Sequence, residues 1–72
     1  MNLSFAEKVK IIMNRRNLNM TSLAEVVGQS RQNLSNKFAR NNFSEEDIRT
    51  ISQALGCSVD IVLTMTDTGE KI

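Results

Sequence analysis

The chain has 72 residues, of which 40% are hydrophobic, and a net charge of +1. This length allows one domain with a marginal core, and the hydrophobic content excludes a disordered chain. No apolar run approaches a membrane span and the first ten residues lack the apolar block of a signal peptide, so we expect a cytoplasmic protein that does not contact a membrane.

Two short helices are predicted in the first part of the chain. Ser4 is followed three residues later by Glu7, which is the capping box of a helix N-terminus. The helix that begins there should run to about Arg16. Asn19 is the expected N-cap of a second helix, which should end at Gly28 because glycine readily adopts the left-handed conformation that terminates helices.

Three further helices are predicted, with N-caps at Ser30, Ser44 and Ser58. The third should end at a loop formed by Asn41 and Asn42, and the fourth should end at Gly56. The fifth is short. The tail 66–72 is polar and contains a turn signal, so it either frays or pairs as a short strand.

The predicted fold is therefore all-α, with five short helices in a domain over residues 1–65 and a polar tail over 66–72. Apolar residues at helical spacing should face one core. They are Phe5, Val9, Ile12, Met13, Leu23, Ala24, Val27, Leu34, Phe38, Ile48, Ile51, Leu55, Ile61, Val62 and Leu63.

Charge is distributed unevenly along the chain. Residues 1–43 contain seven Lys or Arg and two acids, a net charge of +5, whereas residues 44–72 contain two Lys or Arg and six acids, a net charge of −4. A basic half next to an acidic half suggests a surface for a polyanion. Chance clustering on a solvated surface explains the charge pattern equally well.

The third predicted helix has an outward face of amides and cations. At about 100° per residue, Leu34 and Phe38 point into the core, while Gln32 and Asn36 point away from it. An amide can donate and accept a hydrogen bond at once, which matches the major-groove edge of adenine. Solvated helix faces normally mix Glu with Lys, but no acid occurs from residue 26 to residue 43. The pattern therefore favours a helix that reads base edges in DNA.

Only Gly28 and Gln29 separate the second helix from the N-cap of the third. A connection this short, with glycine in the turn, forces a sharp crossing angle between the two helices. The small side chain of Ala24 would allow the third helix to approach the second. The two helices are therefore predicted to form a helix-turn-helix.

The run LNMTSLAEVVGQSRQNLSNKF, residues 18–38, resembles the helix-turn-helix of the Cro and phage-repressor type, often called the Xre family. The matching positions are Leu23, Ala24, Gly28, Ser30, Arg31 and Leu34. The later run ISQALGCSVDIVL, residues 51–63, is similar to the junction of the family's fourth and fifth helices. This resemblance covers about residues 5–65 and implies a compact five-helix bundle of the lambda-repressor-like DNA-binding type.

Three positions depart from the family pattern. Met20 stands where the family often has a glutamine that bonds a phosphate, and Gln29 stands where a small or apolar residue is usual. Lys37 occupies the position of a core aliphatic residue, and we expect Phe38 to fill that space instead.

The resemblance also implies which residues contact DNA. Carried over by position, the base contacts are Arg31, Gln32, Asn33 and Asn36. The phosphate contacts, in which the anion affinity of a helix N-terminus contributes, are Asn19, Met20, Thr21, Ser22, Ser30, Ser35, Lys37, Arg40 and Asn42.

Catalysis is not expected, since the chain has no histidine, no cysteine cluster and no glycine-rich phosphate loop. We expect no metal, cofactor or small-molecule ligand. The acids Glu45, Glu46 and Asp47 are better explained by the helix dipole than by a metal site.

The expected function is sequence-specific transcriptional regulation, as a repressor of bacterial, phage or mobile-element origin. The partners would be a double-stranded DNA operator and a second copy of the chain, at least on DNA. The dimer surface is expected on the fifth helix and tail, because Ile61, Val62 and Leu63 exceed what one short helix can bury on one side. The alternative is a protein-interaction module of the same fold, such as an antitoxin or an adaptor.

Overall fold

The computed structural model describes residues 3–72, and the first two residues of the predicted domain, Met1 and Asn2, lie outside the described residues. Within the described residues, four helices follow one another. They are α1 (Phe5–Arg15), α2 (Met20–Val27), α3 (Arg31–Arg40) and α4 (Glu45–Ala54). The predicted all-α class is confirmed. Within residues 3–72, no helix has both the length and the apolar character needed to cross a membrane.

Side-chain caps define where all four helices begin. Ser4 and Ser44 form capping boxes, in which the serine hydroxyl and an acid three residues later each accept a backbone N–H. Asn19 and Ser30 accept the backbone N–H three residues on, at 2.8 and 3.1 Å respectively. These four predicted N-caps are confirmed.

A single core joins the four helices. Its buried apolar residues are Ala6, Val9, Met13, Leu23, Ala24, Leu34, Phe38, Ile51 and Leu55. Helix α2 packs against both α3 and α4 and so lies at the centre of the bundle. Four other residues predicted to face inward are only half-buried: Phe5, Ile12, Val27 and Ile48.

The loop between α3 and α4 is held by an aromatic cluster. The ring of Phe43 packs edge-on against Phe5 of α1 at 4.9 Å and against Phe38 of α3 at 5.2 Å between ring centroids. Edge-to-face pairs at this spacing stabilise a core beyond the area they bury. Phe38 is itself buried, so it fills the core beside the half-buried Lys37.

The predicted fifth helix is wrong. The chain has no helical structure from residue 57 to residue 63, and Ser58 caps nothing. Val59, Ile61 and Val62 are branched at Cβ, which restricts χ1 and lowers the preference for helix. The apolar residues expected to face inward from this helix are exposed instead.

Residues 63–72 form a protruding segment that we call the arm. The N–H of Leu63 donates to the carbonyl of Ile72 at 3.1 Å, and the N–H of Ile72 donates back to the carbonyl of Leu63 at 2.8 Å. An isolated antiparallel bridge joins Thr64 and Lys71 between these partners. The tail therefore pairs with the preceding residues, although the described chain contains no regular strand.

Candidate nucleic-acid interface

The turn between α2 and α3 fixes the direction of α3. Gly28 has φ +75°, a left-handed conformation that L side chains rarely adopt, and the N–H of Gln29 donates to the carbonyl of Ala24 at 3.0 Å. Ala24 and the core residues Leu34 and Phe38 are buried. The sharp turn and the buried side of α3 together hold its other side outward.

The outward side of α3 carries the predicted base contacts. Arg31, Gln32, Asn33 and Asn36 are all exposed, as is the cation Arg40 near the end of the helix. Amides offer a donor and an acceptor, and arginine offers donors in a fork, which are the groups that base edges in the major groove require. This side of the helix can therefore form hydrogen bonds to bases without any change of fold.

Gln29 holds one of these amides in place. The side-chain Nδ2 of Asn33 donates to Oε1 of Gln29 at 3.2 Å. The second amide hydrogen and Oδ1 of Asn33 are not used by that bond. In the sequence Gln29 is a departure from the family pattern, and its spacing of four residues from Asn33 is the signal that indicates the contact.

A polar cleft of about 370 Å³ lies between α3 and the start of α4. Its lining residues are Asn33, Asn36, Lys37, Arg40, Asn42, Ser44 and Asp47. The cleft therefore brings together two predicted base contacts and three predicted phosphate contacts. The other predicted contacts on α3, including Arg31 and Gln32, lie outside it.

One cation of the cleft already has a partner. Nζ of Lys37 lies 2.9 Å from Oδ1 of Asp47, and the two side chains are only 27% and 16% exposed. The hydrogen bond from Lys37, followed by the backbone N–H of Ser44, holds the pKa of Asp47 below its ordinary value. The charge of Lys37 is therefore largely offset, whereas Arg40 forms no ion pair within residues 3–72.

The first turn of α2 offers unused backbone donors. The Oδ1 of Asn19 accepts both the N–H and the hydroxyl of Ser22, at 2.8 and 3.0 Å. The N–H groups of Met20 and Thr21 have no hydrogen-bond acceptor within the described chain. Free N–H groups at a helix N-terminus attract anions, so this turn can accept a phosphate.

The remaining predicted contacts are placed around these two features. Ser30 caps α3 with its oxygen and is exposed, and Asn42 is exposed in the loop after α3. Ser35 is half-buried beside the core residue Leu34.

Residues 8–67 match the family described as the Cro/C1-type HTH DNA-binding domain. The match includes α2, α3 and the turn between them, which carry the candidate interface. No curated protein and no solved structure matches the chain. The resemblance predicted from the sequence is thereby confirmed, and the chain belongs to the Cro/C1-type HTH DNA-binding domain family.

Proposed function

We propose that this protein is a sequence-specific transcriptional repressor of bacterial, phage or mobile-element origin, which binds its operator by inserting α3 into the major groove. The observation that carries the proposal is the exposed side of α3, which presents amides and cations without an acid and is held outward by buried Leu34 and Phe38. Folding alone does not require this composition, because ordinary solvated helix faces mix both charges.

Base reading falls to the first two turns of α3. Gln32 and Asn33 are the foremost base contacts, since both are exposed next to the N-terminus of the helix. Arg31 and Asn36 flank them. Each well-placed bidentate contact discriminates its base by about 1–3 kcal/mol, so two or three contacts are enough for a preferred half-site.

Phosphate contacts on either side of α3 would orient it in the groove. The free N–H groups of Met20 and Thr21 hold one phosphate, with Asn19 and Ser22 shaping the turn around it. Arg40 and Asn42 hold another at the far end of α3. Such contacts fix register on the duplex without reading sequence. The weaker candidates are Ser30, Ser35 and Lys37.

Two copies would bind one operator. A single α3 spans only a few base pairs, whereas two copies related by a twofold axis read two half-sites about 34 Å apart. The operator is therefore expected to be a palindrome with half-site centres about 10 base pairs apart or a multiple of that spacing.

Selection from a pool of random duplexes tests this function directly. The protein is immobilised, bound duplexes are sequenced over several rounds, and the salt concentration is raised in the later rounds to remove non-specific binders. We expect one enriched motif with twofold symmetry. A matched selection with Gln32→Ala should lose the preference at one position of each half-site and keep it at the others.

The selection contradicts the proposal if no motif emerges at any salt concentration. A motif that is identical for the wild type and for Gln32→Ala, Asn33→Ala and Asn36→Ala variants would show that another surface reads the DNA.

A further inference from the structure

The arm extends away from the helices and is exposed along its whole length. Every residue from 60 to 72 is exposed, and the molecule measures 43 × 22 × 21 Å. Its radius of gyration is 13.8 Å, compared with about 11 Å expected for a compact chain of this length. A marginal core does not explain a protruding segment that contributes nothing to it.

One face of the arm is mainly apolar. Its backbone pairing sets Leu63 opposite Ile72, and side chains alternate between the two faces of a paired segment. Leu63, Met65 and Ile72 therefore share a face, with exposures of 73%, 42% and 76%. Glu70, whose carbonyl accepts the N–H of Met65 at 2.7 Å, lies on the same face, whereas Thr64 and Lys71 lie on the other. A two-stranded ribbon is marginally stable alone in water, so this face requires a partner surface.

A second uncovered apolar surface lies on the helices. A groove of about 340 Å³ runs between α1, α4 and the segment that leads into the arm. Its apolar lining residues are Phe5, Val9, Ile12, Ile48, Leu55, Val59 and Ile61. Lys8 and Asp60 add charge to the lining. The groove and the arm therefore offer complementary apolar surfaces.

We propose that the apolar face of the arm packs into the α1–α4 groove of a second copy, and that the second copy does the same in return. Charge favours this arrangement over pairing between two arms. The arm carries Asp67, Glu70 and Lys71, a net charge of −1, whereas residues 5–16 carry four cations and one acid, a net charge of +3. Arm against α1 is attractive, and arm against arm is repulsive.

The arm of the same copy is poorly placed to fill the groove. Ser58, Val59, Asp60 and Ile61 already line it. The paired part of the arm starts at Leu63, so folding back would require a reversal of the chain at a single residue. Exchange between two copies avoids that reversal and leaves the lining segment in position.

This inference deepens the proposed function, because it rests on the dimer that an operator with two half-sites requires. Its test uses no DNA, so a failure here leaves the reading of DNA by α3 unaffected. Conversely, a selection without a motif would not change the outcome of the association measurements.

Sedimentation equilibrium over a range of protein concentrations measures the association. The wild type should form a dimer of twice the 8.1 kDa chain mass. Leu63→Asp should raise the dissociation constant about a hundredfold or more, since it removes two buried leucines from each dimer, one in each exchanged arm. Thr64→Asp adds the same charge on the opposite face and should not raise the constant. Circular dichroism verifies that both variants keep their helices.

Disulfide trapping identifies the surface. Ile12→Cys copies and Met65→Cys copies, both carrying Cys57→Ser, are mixed and oxidised. We expect a covalent heterodimer between positions 12 and 65. The proposal is overturned by a wild type that stays monomeric up to about millimolar concentration, by an unchanged Leu63→Asp dimer, or by trapping that joins two Met65→Cys copies only. A chain with both cysteines that closes on itself at high dilution would also overturn it.

Discussion

Helices α3 and α4 are alike in length, capping and burial, but their outer faces carry opposite charges. Each has ten residues, begins after a serine N-cap and buries part of one side in the shared core. The outer side of α3 carries Arg31, Lys37 and Arg40 and no acid. By contrast, α4 begins with three consecutive acids, residues 45–47.

The outer face of α4 is explained by helix stability alone. Its acids lie in the first turn, where they interact favourably with the helix dipole, and Arg49 lies 3.3 Å from Glu45 one turn earlier. No equivalent explanation covers the outer face of α3, which lacks acids in its first turn and pairs only one of its cations. Folding therefore accounts for the inward sides of both helices, whereas the outer side of α3 is accounted for by the DNA contact that we propose.

Truncating a buried side chain on the inward side of α3 or of α4 should lower stability to a similar extent. Leu34 and Ile51 are both fully buried. We expect Leu34→Ala and Ile51→Ala each to lower the free energy of unfolding by about 2–5 kcal/mol, measured by urea denaturation. In a domain this small, either variant should be largely unfolded at physiological temperature. A loss below about 1 kcal/mol at either site would mean that the core is not packed as described.

The outer sides should differ in their effect on DNA. Gln32→Ala should weaken binding to the selected operator by about 1–3 kcal/mol and should not change the free energy of unfolding. Gln53→Ala is the matched control, since it removes the same exposed side chain from α4. Fluorescence anisotropy with operator and scrambled duplexes measures the DNA affinity of both variants. Equal losses of DNA affinity in the two variants would mean that α3 and α4 do not differ in their contact with DNA.

Removing a cation from α3 and removing one from α4 should have different effects on the salt dependence of DNA binding. Arg40→Ala should reduce the slope of log K against log salt concentration by about 0.9, because one phosphate contact is lost. Arg49→Ala should leave the slope unchanged, since Arg49 pairs with Glu45 on α4. Titrations at several salt concentrations give the slopes. A reduced slope for Arg49→Ala would place α4 against the duplex as well.

Removing the ion pair between Lys37 of α3 and Asp47 of α4 should give the smallest of these effects on stability. Because Lys37 lowers the pKa of Asp47, the contribution of Asp47 to stability is complete above the ordinary pKa of an aspartate and is lost as the pH falls through the lowered pKa. Asp47→Asn should therefore lower the free energy of unfolding at neutral pH by about 0.5–1 kcal/mol, and the difference from wild type should disappear in acid. Urea denaturation across this pH range measures it.

The same substitution should strengthen DNA binding, although it lowers the free energy of unfolding. Asp47→Asn frees Lys37 for a phosphate, so binding should become tighter and the salt slope steeper by about 0.9. An unchanged slope would mean that Lys37 does not reach the duplex even when it is released from Asp47.

Local signals made most of the helices predictable. The caps at Ser4, Asn19, Ser30 and Ser44 act within three residues, and the glycine at position 28 terminates α2 by its own backbone conformation. The inward sides followed from helical spacing because each helix packs against the same core.

Contacts between distant residues were not predictable. Lys37 and Asp47 are ten residues apart on different helices, so no spacing rule connects them. The prediction of a fifth helix was wrong for another reason. Ile61–Leu63 is a short apolar run, and such runs do not distinguish a helix from an extended chain.

The central claim is that the outer side of α3 alone faces the bases. The most direct test is to titrate ¹⁵N-labelled protein with the selected operator and follow the backbone and side-chain amide signals. We predict the largest shifts at Gln32, Asn33 and Asn36, smaller shifts in the first turn of α2, and none at the exposed residues of α4. Shifts centred on α4 or on the arm, with the side-chain amides of α3 unmoved, would contradict the account.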